Sequence, residues 1–75
     1  MQPYKDIDGD SNVAAYEIGQ GSISVHFSNG GTYLYNGSAP GAAHVAEMQR
    51  LAQAGDGLNA YINKYVRKNY AAKLS

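Results

Sequence analysis

Alternation of apolar and polar positions is clearest over residues 22–28, SISVHFS, where Ile23, Val25 and Phe27 take one side and Ser22, Ser24, His26 and Ser28 the other. A period of two is that of a strand with one buried face. Upstream, residues 12–18, NVAAYEI, predict a second strand with Tyr16 and Ile18 on one face and Val13 and Ala15 on the other. Downstream, Asn29-Gly30-Gly31 supplies residues that accept positive φ and predicts a hairpin into a third strand at residues 32–36. The period then lengthens. Val45, Met48, Leu51 and Ala52 recur at helical spacing, which predicts a helix over about 41–54 with Pro40 at its entrance and Gly55 as a left-handed stop. Asp56 is placed to N-cap a second helix over about 57–70, whose stripe Leu58, Tyr61, Ile62, Tyr65 and Val66 faces a core while Lys64, Arg67 and Lys68 face away. The expected architecture is therefore α+β: a three-stranded antiparallel meander covered on one face by two C-terminal helices.

The pattern puts Tyr33 and Tyr35 on one face of their strand and leaves open which side of the sheet that is. With three residues in the hairpin loop they join Ile23, Val25 and Phe27 in the core; with two or four they join Ser24 and His26 in water. Buried, they complete a core face and leave the other face coherently polar. Exposed, they would form a stacking platform for unpaired bases, each stack worth roughly 1–3 kcal/mol, or a protein-binding or dimer face.

Length and composition narrow the classes. A chain of 75 residues makes one small domain. A domain of this size hides only roughly 60% of its unfolded surface, so homodimerisation is a live option. With no cysteine, disulfides, thiolate metal sites and cysteine nucleophiles are all excluded, in keeping with a reducing cytoplasm. No apolar run approaches the ~20 residues of a membrane span, and Met1-Gln2-Pro3-Tyr4-Lys5-Asp6 lacks the apolar core of a signal peptide. A cytoplasmic protein is expected.

Zero net charge conceals a split. Residues 1–57 carry Asp6, Asp8, Asp10, Glu17, Glu47 and Asp56 against Lys5 and Arg50, whereas residues 58–75 carry Lys64, Arg67, Lys68 and Lys73 with no acid. A basic end of this kind suits phosphates, with Tyr65 or Tyr70 nearby to stack or donate a hydrogen bond. It also suits a solvated helix face, since cations near a helix C-terminus are favoured by the macrodipole without any ligand. Arg67 is the foremost candidate because its planar guanidinium grips phosphate or carboxylate with two prongs; the alternative for it is an ion pair with the acidic front half.

The acidic segment 6–17, DIDGDSNVAAYE, matches a calcium loop at several positions: Asp6, Asp8 and Asp10 as the first three ligands, Asn12 through its carbonyl, Val13 as the apolar eighth residue and Glu17 as the twelfth. Ser11 replaces the glycine expected at the sixth position, and the strand at 12–18 competes for Glu17. Asp6, Asp8 and Asp10 therefore remain a candidate cation site beside the simpler reading of a solvated acidic turn over residues 1–10. Catalysis finds no support: there is no phosphate-cradling glycine loop, no paired metal histidines and no serine in a nucleophile elbow, and His26 and His44 stand alone. No cofactor is expected.

Taken in order, Ser11-Asn12-Val13, Phe27, Tyr33-Leu34-Tyr35 and the tail Asn63-Lys64-Tyr65-Val66-Arg67-Lys68-Asn69-Tyr70 resemble the KTSC domain. This bacterial module of some 60 residues occurs at the C-terminus of some lysyl-tRNA synthetases and as small stand-alone proteins. The resemblance runs from Ser11 to about residue 74 and implies a single KTSC-like domain over 11–75. Ile62 stands where an aromatic residue is frequent, and Ala71 where a proline follows the last tyrosine. The function that the resemblance implies is RNA binding, by association with a tRNA synthetase, and fold alone does not fix function. The expectation is thus a non-enzymatic domain that binds RNA or single-stranded nucleic acid through Lys64, Arg67, Lys68, Tyr70 and Lys73, with Tyr33 and Tyr35. The competing expectation is a protein-interaction or self-associating module using the open sheet face or the acidic end.

Overall fold

The computed structural model describes residues 1–5, 12–28 and 30–75. Its centre is the expected meander: β2 (Val13–Gly19), β3 (Ser22–Phe27) and β4 (Thr32–Asn36), paired antiparallel. Two short strands widen it. β1 (Gln2–Pro3) joins β2, and β5 (Ala72–Lys73) joins β4, giving a five-stranded antiparallel sheet in the order β1-β2-β3-β4-β5. A three-stranded sheet was the expectation, and two-residue strands carry too little periodicity to be read from sequence. Through β1 and Tyr4, which is 7% exposed, the packed unit begins before the acidic segment.

Strict alternation fails in β2. Val13 and Tyr16, three residues apart, are both buried, while Ile18 is 36% exposed. A bulge explains it: Val13 pairs with Phe27 but Ala15 with His26, so one extra residue returns Val13 to the face of Tyr16. In β3 and β4 the register is regular. Tyr33 lies opposite Val25 and Tyr35 opposite Ile23, and Phe27 N–H donates to Gly31 O at 3.2 Å. Both tyrosines thus share the core face, as a three-residue loop requires.

That face is covered by α1 (Ala42–Ala54), which buries Val45, Met48 and Ala52. Gln49 ties the helix to the β2–β3 turn, donating to Ser22 O at 2.8 Å and Gly19 O at 3.2 Å. Gly55 ends α1 in the left-handed conformation, φ 75°, and the amides of Gly55 and Asp56 both return to Leu51 O. Asp56 therefore closes α1 and does not cap the next helix. Gly57, φ 83°, occupies that N-cap position without a side-chain hydrogen bond. The amide of Leu58 donates instead to the Tyr4 hydroxyl at 3.1 Å, across 54 residues of sequence.

The second helix is shorter and wider than expected. α2 (Leu58–Tyr61) runs into a π-helical segment, Ile62–Val66, and residues 67–70, where helix was expected, form a turn that leads into β5. Its buried residues are Leu58, Ile62 and Val66, each four after the last. In an α-helix that spacing drifts by about 40° per step, and a π turn reduces the drift so that one narrow line stays against the core. Tyr65, expected in the stripe, is 53% exposed.

Candidate nucleic-acid interface

The line Leu58, Ile62, Val66 divides the helix surface. Asn63 and Arg67 each follow a core residue and lie on one flank, Tyr61 and Tyr65 each precede one and lie on the other, and Lys64 and Lys68 occupy the crest between. On the first flank, Ile62, Asn63, Arg67 and Lys68 meet Phe27, Tyr33, Tyr35 and Tyr70 around a pocket of about 260 Å³. That is close to the lower end of small-ligand sites, and suits a single ring.

Strand β5 completes the pocket. After the helix the chain turns back, Ala71 N–H donates to Leu34 O at 2.7 Å, and Tyr33 and Leu34 pair with Lys73 and Ala72. Tyr70 is thereby brought over β4, its ring centroid 4.7 Å from that of Tyr33 and 6.5 Å from that of Tyr35. Phe27 lies 5.7 Å from Tyr33, edge to face. These edge contacts are the favoured geometry for aromatic pairs. Their exposures differ in a way that matters. Tyr35 is 1% exposed and forms the inner wall, Tyr33 is half-buried, and Tyr70 is 36% exposed. Burial, with Tyr33 and Tyr70 adding to it, pushes the Tyr35 hydroxyl up to about 12, so at neutral pH it is a neutral donor and acceptor.

Five of the seven residues expected to bind nucleic acid, Tyr33, Tyr35, Arg67, Lys68 and Tyr70, therefore line one pocket. Lys73 stands at its edge, Nζ 5.8 Å from the Tyr33 ring centroid. Lys64 is outside it, over the Tyr65 ring at 5.2 Å. Phe27 and Asn63 belong to the pocket but were not among the expected binders; Asn63 follows the core residue Ile62 just as Arg67 follows Val66, and that repeat was the available signal.

Among the described residues, the ion pairs are Arg50 with Glu47, a forked pair within α1, and the Met1 amino group with Glu17 at 3.9 Å. Arg67, Lys68 and Lys73 have no acidic partner among those residues, so the ion pair considered for Arg67 does not form there. Asp6, Asp8 and Asp10 lie outside the described residues. Glu17, the remaining carboxylate of the calcium pattern, stands in β2 opposite Ser24. Among the described residues no helix is long and apolar enough to cross a membrane.

His26 and His44, which stood alone in the sequence, are engaged locally. His26 Nδ1 is 2.9 Å from the Thr32 hydroxyl on the face away from the helices, and His44 Nδ1 is 2.7 Å from the Tyr61 hydroxyl. Neither pairs with a carboxylate among the described residues. Compared with models of known protein families, with curated proteins and with solved structures, the chain has no match.

Proposed function

We propose that this is a non-enzymatic cytoplasmic domain that binds RNA or other single-stranded nucleic acid. One base enters the pocket against Tyr33 and Tyr70, and the flanking phosphates lie on Arg67 and Lys68. The observation that carries this reading is the placement of two cations, without acidic partners among the described residues, on the rim of a pocket walled by aromatic rings. Rings accept any base face and cations accept any phosphate, so binding is weakly dependent on sequence. The buried Tyr35 hydroxyl contributes polarity to the inner wall.

A second support comes from the resemblance to KTSC domains, which we retain as a proposal. Phe27, Tyr33, Tyr35, Asn63, Arg67 and Tyr70, which carry most of that resemblance, lie scattered over 44 positions of sequence and converge on this one pocket. Residues that only hold a core have no need to include an exposed arginine and asparagine.

Titration of labelled single-stranded RNA at rising salt tests the proposal. If Arg67, Lys68 and Lys64 neutralise about three phosphates, log K should fall against log salt with a slope of about −2. Arg67→Glu should weaken binding at every salt and flatten the slope by at least about one contact. No binding at low salt and micromolar protein ends the proposal.

The competing reading, a protein-interaction or self-associating module, draws on the sheet face away from the helices. There Ala15, Ser24, His26, Leu34 and Ala72 are half-buried, with apolar and polar groups mixed. Concentration-dependent sedimentation unaffected by Arg67→Glu would favour it.

A further inference from the structure

The flank opposite the pocket carries a second group of rings. Tyr61 and Tyr65 lie with centroids 4.7 Å apart, and His44, reaching over from α1, is 5.8 Å from Tyr61 and 6.2 Å from Tyr65. Tyr65 is 53% exposed, one of the most exposed large apolar side chains described. An aromatic ring held this far in water does little for the core. Lys64 Nζ lies 5.2 Å from its ring centroid, and Lys64 has no acidic partner among the described residues.

We infer that His44, Tyr61 and Tyr65 form a second stacking subsite, for a neighbouring base of the same single strand. The inference rests on the nucleic-acid reading of the first pocket. Lys64 in the π-helical segment and Lys68 in the turn just after it are four residues apart and lie between the two ring groups. That spacing allows successive backbone phosphates to meet successive cations while their bases turn to either flank. Residues 57–75 thus present ring, cation, cation, ring with no acid among them, and the carboxylate that acts on Tyr61, Glu47 of α1, is paired with Arg50. A neutral or acidic peptide segment has no need of two separated ring groups joined by cations, whereas a polyanion with a planar group at every unit uses all of them. The His44–Tyr61 hydrogen bond at 2.7 Å and the ring contacts hold the subsite together before a base arrives.

Two probes separate this subsite from the first. One is uridine monophosphate, followed by NMR shifts of the residues lining the pocket; the other is a fluorescein-labelled single-stranded RNA of about 12 nucleotides, followed by anisotropy. Tyr65→Ala should weaken the oligomer by about 5- to 150-fold and leave the mononucleotide shifts at Tyr33 and Tyr70 unchanged, while Tyr65→Phe keeps wild-type affinity for both. Oligomer affinity unaltered in Tyr65→Ala, in a protein where Tyr70→Ala does weaken it, overturns the second subsite and leaves the first reading standing. Loss of mononucleotide shifts in Tyr65→Ala also overturns it, because the residue would then act through the fold. If the wild type binds neither probe, both readings fall.

Discussion

Replacing Tyr4 by Phe removes one oxygen and nothing else, which makes it a clean probe of how residues before the acidic segment hold the second helix. The Tyr4 hydroxyl accepts the Leu58 amide at 3.1 Å. Gly57 offers no side-chain cap, and Leu58 is fully buried, so no water replaces the lost acceptor. The Phe ring keeps its edge contact with Tyr16, now at 6.5 Å between centroids, and keeps its apolar burial. The loss is therefore that of a buried donor left unpaired, about 1–3 kcal/mol. For a domain of this size about 1 kcal/mol moves Tm by roughly 4–8 °C, so a fall of about 4–24 °C is expected in thermal melts followed by circular dichroism. Amide exchange should be accelerated first at Leu58 and the turn that follows it. A Tm within about 2 °C of wild type, with Leu58 exchange unchanged, would refute the assignment of Tyr4 as the cap.

Two further outcomes follow from contacts around β4. Because the Tyr35 hydroxyl is pushed up to about 12 in the folded protein and titrates near 10 unfolded, the folded state holds its proton more tightly. Its contribution is complete below about pH 10 and is lost as pH rises from 10 to 12, by about 2–3 kcal/mol; urea melts across that range should show the loss in wild type and a smaller one in Tyr35→Phe. At Gly31 a Cβ would stand 1.8 Å from Ser75 O and 3.1 Å from Lys73 Cε, so Gly31→Ala should displace the end of the chain from β4 and broaden the NMR signals of residues 70–75, with the meander itself intact.

The central strands and α1 were legible because long, regular runs of side chains report their own burial. Residues 22–28 alternate without a fault and β3 follows them; Val45, Met48 and Ala52 bury as their spacing predicts. What escaped was set by contacts between distant segments. The bulge that buries Val13 beside Tyr16 belongs to the pairing of β2 with β3, and nothing within residues 12–18 announces it. The Asp56 cap lost to a hydroxyl 52 positions away in sequence, at Tyr4. Gly31 was read for its freedom of φ, yet what it supplies is room for Ser75. The helix expected to residue 70 stops because β4 offers the tail an unpaired edge, which no local propensity of Asn69-Tyr70-Ala71 reveals.

The same edge accounts for the candidate site. Had residues 67–70 continued as helix, Tyr70 would lie one turn beyond Val66, on the line of core residues, and Tyr33 would lose the Tyr70 ring and keep that of Phe27. Turning the tail onto β4 costs a turn of helix. In return it covers an exposed strand edge, puts Tyr70 edge-on to Tyr33 and leaves Arg67 and Lys68 at the bend, where their side chains lean over the pocket mouth. The widened turn at Ile62–Val66 serves this geometry, since it keeps Ile62 and Val66 in one line and so fixes where Asn63 and Arg67 emerge. Site and fold are thus coupled through β5: a change that frees the tail should weaken ligand binding before it unfolds the sheet. The order of those two losses, read on one Gly31→Ala sample by RNA anisotropy and by circular dichroism, separates a pocket built by the tail from one built by the meander alone.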